Sequence, residues 1–464
     1  MVKFFRCCKA RVSPELLSKK NEKPEAFLPS LRMILFIFRM FYAWPDEQSL
    51  APNALWWYRA KGVLFRTFFI YLSAAAQLAY NFTVTSREEL FAGMFVLLTQ
   101  LVLILKMEFF YKNVSKIQQL IRRLHGKQYR QSGNAEEDMP LVSARKKSTI
   151  FWTLYFMFSV GLATEWLVIS LSLTTLIVPV WPVVDHTTPY WVYLMVILHQ
   201  YVAIALNASF NISWDSLVAA LLALTNAHLH RLQIQLMKLG HRNYLHPPKD
   251  AKRRMIAVSS LDDNARSVQI KSDADEVYNE LLQCIIFHQE VTGFLRDVLD
   301  LFSGPLLAQL YCSVFILCIT EFRLLTDVNT MADTVQAVIY LLCLVIQVAQ
   351  YCYFGNEINY MAQKVHRATA FVNYPDMNIK CRKLLIAFQQ ITAVGIKCSA
   401  KYVFTIQLSM ETFVTVRIND TQNILLVFGS IEIDDGLSSF LFGSAMTGFE
   451  ITCVELEVVV TSAT

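Results

Sequence analysis

The sequence predicts an all-α membrane protein of seven transmembrane helices with a cytoplasmic N-terminus, and three observations carry that prediction. Its 464 residues are 55% hydrophobic and only 17% charged, outside the usual composition of soluble domains. The apolar residues come in uncharged runs long enough to cross a hydrocarbon layer of roughly 30 Å. The basic residues, finally, concentrate in alternate connections between those runs.

Met1–Ser30 is charged and lacks the apolar core of a cleavable signal peptide. Leu31–Trp44 carries Arg32 and Arg39 and is too short to span, so it suits an amphipathic segment at the membrane interface, ended by Pro45. Trp56, Trp57 and Tyr58 form an aromatic anchor before span one, Gly62–Phe82, and a turn with Arg87 leads to span two, Leu90–Tyr111. A polar stretch, Lys112–Ser148, precedes span three, Thr149–Leu173; Pro179 and Pro182 break the chain after it. Span four starts at Tyr190 and stays helix-compatible to about Leu224, longer than a bilayer requires, so its end projects into the cytosol.

His228–Lys271 reads as polar, with Pro247–Pro248 opposing a continuous helix. From Asp275 the apolar residues Val277, Leu281, Leu282, Ile285, Val291, Leu295 and Val298 repeat at three and four. That amphipathic helix runs into span five, Leu299–Ile319, where Gly304–Pro305 invites a kink. Span six is Val335–Phe354, followed by the helix-compatible stretch Gly355–Asn373. Cys381–Ile396 has a stripe of Leu384, Leu385, Phe388 and Ile391, and Ser399–Val416 supplies span seven. The expected division is therefore 1–61 as a cytoplasmic N-terminal segment, 62–224 as spans one to four and 225–298 as a cytosolic segment with the extension of span five. Then come 299–354 as spans five and six, 355–398 as cytosolic helices, 399–416 as span seven and 417–464 as an atypical tail.

Counted from the N-terminus, the connections hold 11, 1, 10 (with Lys106), 0, 10, 1 and 7 (through Lys401) Lys and Arg residues, with Arg66 and Arg417 left over. Basic loops stay cytoplasmic, which places the N-terminus inside, the C-terminus outside, and a cytosolic helical layer beneath the membrane. The net charge of +5 thus reports membrane orientation and not nucleic-acid binding. Asn81-Phe82-Thr83 is a glycosylation sequon at an outer edge; the sequons at Asn207 and Asn211 fall in span four and read as chance.

Catalytic and cofactor motifs are missing: there is no HExxH, GxSxG, CxxC or Gly-rich phosphate loop, so neither an enzyme nor a metal or cofactor site is expected. Polar groups inside spans are the better clues. Glu165, beside Thr164 and Trp166, either lines a ligand pocket, attracts cations or hydrogen-bonds another helix. His199, Gln200, Gln309, Gln336 and Gln347 read as interhelical hydrogen bonds. Phe91, Met94, Phe95, Trp166, Tyr190, Trp191, Tyr193, Ile197 and Tyr340 sit in the outer halves of spans two, three, four and six. If they converge, the cavity suits a small, mostly apolar ligand. The long amphipathic extensions of spans four to six need partners, which predicts an oligomer.

Several stretches resemble the insect odorant receptor family: Phe41-Tyr42-Ala43-Trp44-Pro45 before span one, and Phe287-His288 with Pro305, Gln309 and Cys312 in span five. The resemblance continues through Tyr351-Cys352-Tyr353-Phe354-Gly355-Asn356-Glu357-Ile358, Ala370 to Tyr374-Pro375, Arg382-Lys383-Leu384-Leu385-Ile386 and Leu408-Ser409-Met410-Glu411-Thr412-Phe413, covering roughly residues 30–416. It implies the odorant-tuning subunit of a ligand-gated, non-selective cation channel in the plasma membrane of olfactory neuron dendrites. The implied partners are an odorant co-receptor, in a hetero-oligomer joined by the cytosolic helices, together with membrane lipid and a small volatile organic ligand held among spans two, three, four and six. It also implies that span seven lines the pore, with Thr412, Phe413 and Val416 as pore residues. A G-protein-coupled or gustatory-type chemoreceptor is the rival reading.

After Val416 the sequence departs from the family pattern: Arg417–Thr464 contains seven acids and a single base. A splice form or read-through gene model is the expected account, and its functional counterpart is a non-conducting receptor isoform.

Overall fold

The computed structural model describes residues 29–45, 52–85, 87–124, 129, 133–181, 189–241, 263–326, 331–372, 378–396, 399–401 and 405–407. Those residues are almost wholly helical, and the helices run well beyond the spans read from hydropathy. α1 is Pro29–Met40, α2 Pro52–Arg66 and α3 Leu72–Thr83, the last two joined without a break by a π-helical turn, Thr67–Tyr71. α4 is Arg87–Arg123, α5 Ala135–Leu173, α6 Tyr190–His241, α7 Asp263–Thr326, α8 Met331–Ala370 and α9 Ile379–Ala393.

Among the described residues, five helical stretches have the length and apolar composition to cross a membrane: Asn53–Thr83, Ala135–Leu173, Tyr190–Leu239, Val277–Leu317 and Val338–Ala370. Their packing is that of a protein built for lipid. Leu154, Met157, Val168 and Leu171 of α5 and Leu194, Met195 and Leu198 of α6 lie exposed, while Gln100, Asn207, Asp215 and Gln347 are buried. In water such an apolar exterior would drive aggregation; in hydrocarbon it is the ordinary lipid-facing surface, and buried polar groups such as Asp215 and Gln347 bond one another across helices.

α6 is the axis of the bundle. Its 52 residues make a rod of roughly 78 Å, packed against α5, α8, α7, α1 and α4. The expected end near Leu224 falls short because Ala227, Leu229, Leu232 and Leu236 carry the buried stripe onward through residues that look polar by composition. α5 likewise starts before its apolar part. Asn134 caps it, its side chain accepting from the Glu136 amide at 3.3 Å, and Glu136, Glu137 and Asp138 occupy the first turn, where the helix dipole favours negative charge. α7 begins at Asp263 and passes through Gly304–Pro305 as one helix.

α1 behaves as a core element as well as an amphipathic one. Leu31, Ile34, Leu35 and Phe38 are buried at helical spacing, and Phe38 packs edge-on to Phe210 of α6 at 5.3 Å. The chain then turns at Tyr42, whose φ of 54° is uncommon for an aromatic residue. In α9 the buried stripe is Cys381, Leu385, Phe388 and Thr392, so the expected stripe is rotated and Ile391 is exposed.

The described part of the expected span seven, residues 399–401 and 405–407, is extended and not helical. Ser399–Lys401 (β1) and Thr405–Gln407 (β2) pair antiparallel, Ser399 facing Gln407 and Lys401 facing Thr405, in a segment expected to be the helix of span seven. The local sequence explains this: Tyr402, Val403, Phe404, Thr405 and Ile406 are residues that favour extended backbone.

Candidate functional site

A cavity of about 140 Å³ lies where α4, α5, α6 and α8 meet. α4 supplies Val96, Thr99, Gln100 and Leu103; α5 supplies Tyr155, Ser159, Leu162, Ala163 and Trp166. α6 contributes Ile204, Asn207, Ala208, Asn211 and Ile212, and α8 contributes Tyr340, Cys343, Leu344 and Gln347. On each helix these residues recur at three- and four-residue intervals, which brings them to one face. Most of the wall is apolar.

The aromatic edge of the cavity is fixed in place. Tyr340 and Trp166 have ring centroids 6.2 Å apart, tilted by 32°, and the Tyr340 hydroxyl hydrogen-bonds Thr99 Oγ1 at 2.6 Å. That bond ties α8 to α4 across the site.

Beneath the cavity lies a buried ion pair. Lys106 Nζ is 2.6 Å from Asp215 Oδ1, with neither side chain exposed, and it also donates to Asn211 Oδ1 at 2.7 Å. Gln347 and Tyr351 of α8 both donate to the Asp215 carboxylate, and Gln309 of α7 donates to Gln347 Oε1 at 3.1 Å. Asp215 thus collects donors from two other helices, α4 and α8, enough to compensate the cost of burying a charge. Because Asn211 and Gln347 belong to both the cavity wall and this network, the cavity floor is the roof of the ion pair.

The expected ligand residues divide. Trp166 and Tyr340 line the cavity. Met94, Thr164, Glu165, Tyr193 and Ile197 are not among its walls, and of Phe91 and Phe95 only the backbone, on α4, is described. Thr164 bonds back to its own helix, to Val160 O at 3.1 Å and Gly161 O at 2.7 Å. Glu165 sits partly buried one residue from Trp166, on a different face of α5. The Tyr193 hydroxyl donates to Ser170 O at 2.9 Å, which joins the start of α6 to the end of α5, and Ile197 is buried nearby on α6. The cavity therefore lies deeper than the aromatic-rich ends of the helices. Of its remaining wall, Gln347 reads from the sequence as an interhelical hydrogen bond and Asn207 only as a chance sequon, because a single amide inside an apolar run carries no periodic signal. Lys106 and Asp215 had a usable one: opposite charges within two apolar helices.

The polar residues expected to join helices do so where their side chains are described. Gln200 accepts from the amides of Ile177 and Val178 and donates to Val178 O at 2.8 Å, clamping the chain after α5 onto α6. His199 hydrogen-bonds Phe68 O at 3.2 Å and stacks on Phe69. A further cluster surrounds the π-helical turn: Arg66 Nη1 pairs with Glu108 at 3.1 Å, its guanidinium lies 3.7 Å over the Tyr111 ring, and Tyr71 donates to the same carboxylate. Asn81 sits in the last turn of α3 with its amide atoms buried against Gly93, so a glycan there requires this helix end to open. The pore residues Thr412, Phe413 and Val416 lie outside the described residues.

Comparison with known proteins points in one direction. The family model for 7tm odorant receptors matches residues 86–417. Odorant receptor Or1 of Anopheles gambiae is 29% identical over 416 residues, covering 86% of this chain and 95% of that protein. Odorant receptor 46a, isoform A, of Drosophila melanogaster is 21% identical over 308 residues, 65% of this chain and 73% of that protein. Among solved structures, the insect olfactory receptor OR5 from Machilis hrabei superposes with a TM-score of 0.68 at 12% identity, covering 86% of this chain and 98% of that one. The same receptor in complex with eugenol gives 0.63, covering 87% and 100%.

Proposed function

The chain belongs to the insect odorant receptor family, a family of membrane chemoreceptors and not of enzymes, and on that premise we propose that it is the odorant-tuning subunit of a ligand-gated, non-selective cation channel. The observation that carries this is the mostly apolar cavity at the junction of α4, α5, α6 and α8, the kind of concave site a small volatile molecule needs. The chain shares its fold with the Machilis hrabei receptor, which has also been solved in complex with eugenol, and this supports a small organic molecule as the ligand. In this reading the basic ends of the helices face the cytoplasm and the chain resides in the plasma membrane of an olfactory neuron dendrite. It works there beside a co-receptor subunit. Phe371, Ile379, Ile386 and Ile391, exposed at the basic end, are the natural seat of that partner.

Ligand binding opens such a channel only through a difference in affinity between closed and open states. The test is whole-cell current in cells expressing this chain with a co-receptor while G-protein signalling is blocked. Odour-evoked current that persists under the block is expected; its loss would favour a G-protein-coupled receptor and sink the channel reading.

A second reading has its own observation. The strand pairing at Ser399–Gln407, where a conducting subunit needs a pore helix, favours a receptor isoform that binds ligand without conducting. It predicts assembly with the co-receptor and ligand-dependent stabilisation of the purified complex, but no current.

A further inference from the structure

We propose that the ligand of this cavity is a compact, neutral molecule carrying one hydroxyl group, which Asn207 recognises; the inference rests on the reading of the cavity as the odorant site. Asn207 is 7% exposed, lines the cavity, and neither its amide nitrogen nor its amide oxygen has a hydrogen-bond partner in the protein. Two neighbouring wall residues repeat the pattern. Gln100 donates its amide nitrogen to Ser73 Oγ at 3.3 Å, leaving Oε1 unpaired, and the buried Trp166 Nε1 donor is unpaired as well.

Native interiors pair their buried polar groups, and an orphan needs a reason. Three buried orphans around one cavity are explained together if the ligand supplies what they lack. The wall offers donors at Asn207 Nδ2 and Trp166 Nε1 and acceptors at Asn207 Oδ1 and Gln100 Oε1. A hydroxyl is the smallest group that both donates and accepts. A carbonyl would satisfy the donors and strand the acceptors, and a hydrocarbon would satisfy none.

Size and charge follow from the same wall. An apolar cavity of about 150 Å³ accepts benzene, so one of about 140 Å³ takes a single ring or a short chain. The charges that bond the cavity floor, Lys106 and Asp215, are already committed to each other, so among the described wall residues an ionised ligand finds no counter-charge.

The probes are cyclohexanol, cyclohexanone and methylcyclohexane, equal in heavy-atom count and differing only in the polar group. Each is titrated against the full-length receptor with its co-receptor in nanodiscs, reading ligand-induced thermal stabilisation and, in parallel, current. Cyclohexanol is expected to bind on the order of tenfold more tightly than methylcyclohexane, with cyclohexanone between, the ratio set by leaving buried amides unpaired. In Asn207→Leu the preference should collapse to about twofold, while methylcyclohexane binding persists and shows that the variant is folded. Trp166→Phe, which removes the indole donor together with part of the ring's volume, should weaken cyclohexanol and cyclohexanone more than methylcyclohexane, whose loss measures the volume change alone. Equal affinities in the wild type, a hydroxyl preference that survives Asn207→Leu, or a two-ring alcohol binding as well as cyclohexanol would overturn the proposal and leave the cavity as an odorant site of another specificity. Stabilisation by none of the three probes would instead remove the cavity itself as the odorant site.

Discussion

Lys106 and Asp215 illustrate what a single buried charge demands of its neighbours. Each would be costly alone inside the bundle; together, with Asn211, Gln347 and Tyr351, every charged atom finds a partner. Removing one member while leaving the other costs about 3–5 kcal/mol. Lys106→Met and Asp215→Leu should therefore each lower the thermal midpoint of the nanodisc-embedded receptor sharply. The double variant should recover much of the loss, because it removes the stranded charge; strictly additive losses would mean the pair is not coupled. Trp166 has a different residue-scale role as a volume stop. Trp166→Ala enlarges the cavity, so the concentration–response series across ligands of increasing size should shift its optimum toward larger molecules, while an unchanged optimum would place Trp166 outside the ligand's reach.

At the scale of elements, two junctions show how neighbouring helices are held together. The start of α5 is held by the Asn134 cap and by Glu137, whose carboxylate takes hydrogen bonds from Gln235 at 2.9 Å and Lys238 at 3.1 Å on α6. Asn134→Ala should cost about 0.5–2 kcal/mol of stability, seen as a lower thermal midpoint with ligand affinity little changed, since the cavity lies several turns away. The passage from α1 to α2 depends on a close approach: a Cβ on Gly62 would lie 2.9 Å from the Tyr42 Cβ, and Tyr42 itself has a φ of 54°. Gly62→Ala should destabilise the receptor by about 1–3 kcal/mol. Adding Tyr42→Gly, which removes the opposing atom and suits the left-handed backbone, should return part of that loss. A combined loss as large as the two separate ones would show that the helices do not meet there.

For the whole molecule, the separation between ligand binding and conduction is the property to test. All four helices of the cavity precede residue 371, whereas the segment expected to line the pore begins at Ser399. A chain ending after Ile396 should keep ligand-induced stabilisation and lose current; loss of both would make the C-terminal region part of the binding fold. The alternation of basic residues predicts that an epitope at the N-terminus stains only permeabilised cells, and staining of intact cells would invert the topology.

What the sequence determined by itself is whatever follows from composition and chain-local periodicity: a nearly all-helical membrane fold, the helices at the apolar runs before residue 371, and the family, carried by motifs such as Phe41 to Pro45 and Tyr351 to Ile358. Trp166 and Tyr340, picked out because aromatic residues cluster visibly along the chain, line the cavity. The full lengths of α5 and α6 were not legible, since their continuations are polar on one face and buried on the other, and composition averages the two, whereas the amphipathic extension of α7 from Asp275 was readable from its three- and four-residue spacing. Only the tertiary structure decided that Lys106 meets Asp215, that Tyr193 serves a helix junction instead of the cavity, and that Asn207 is left without a partner. Each depends on which faces of separate helices meet, a relation between distant residues that no local pattern records. The short strands at Ser399–Gln407 mark the same limit from the other side: apolar length allowed a helix, and β-branched and aromatic side chains in a single subunit favoured extended backbone.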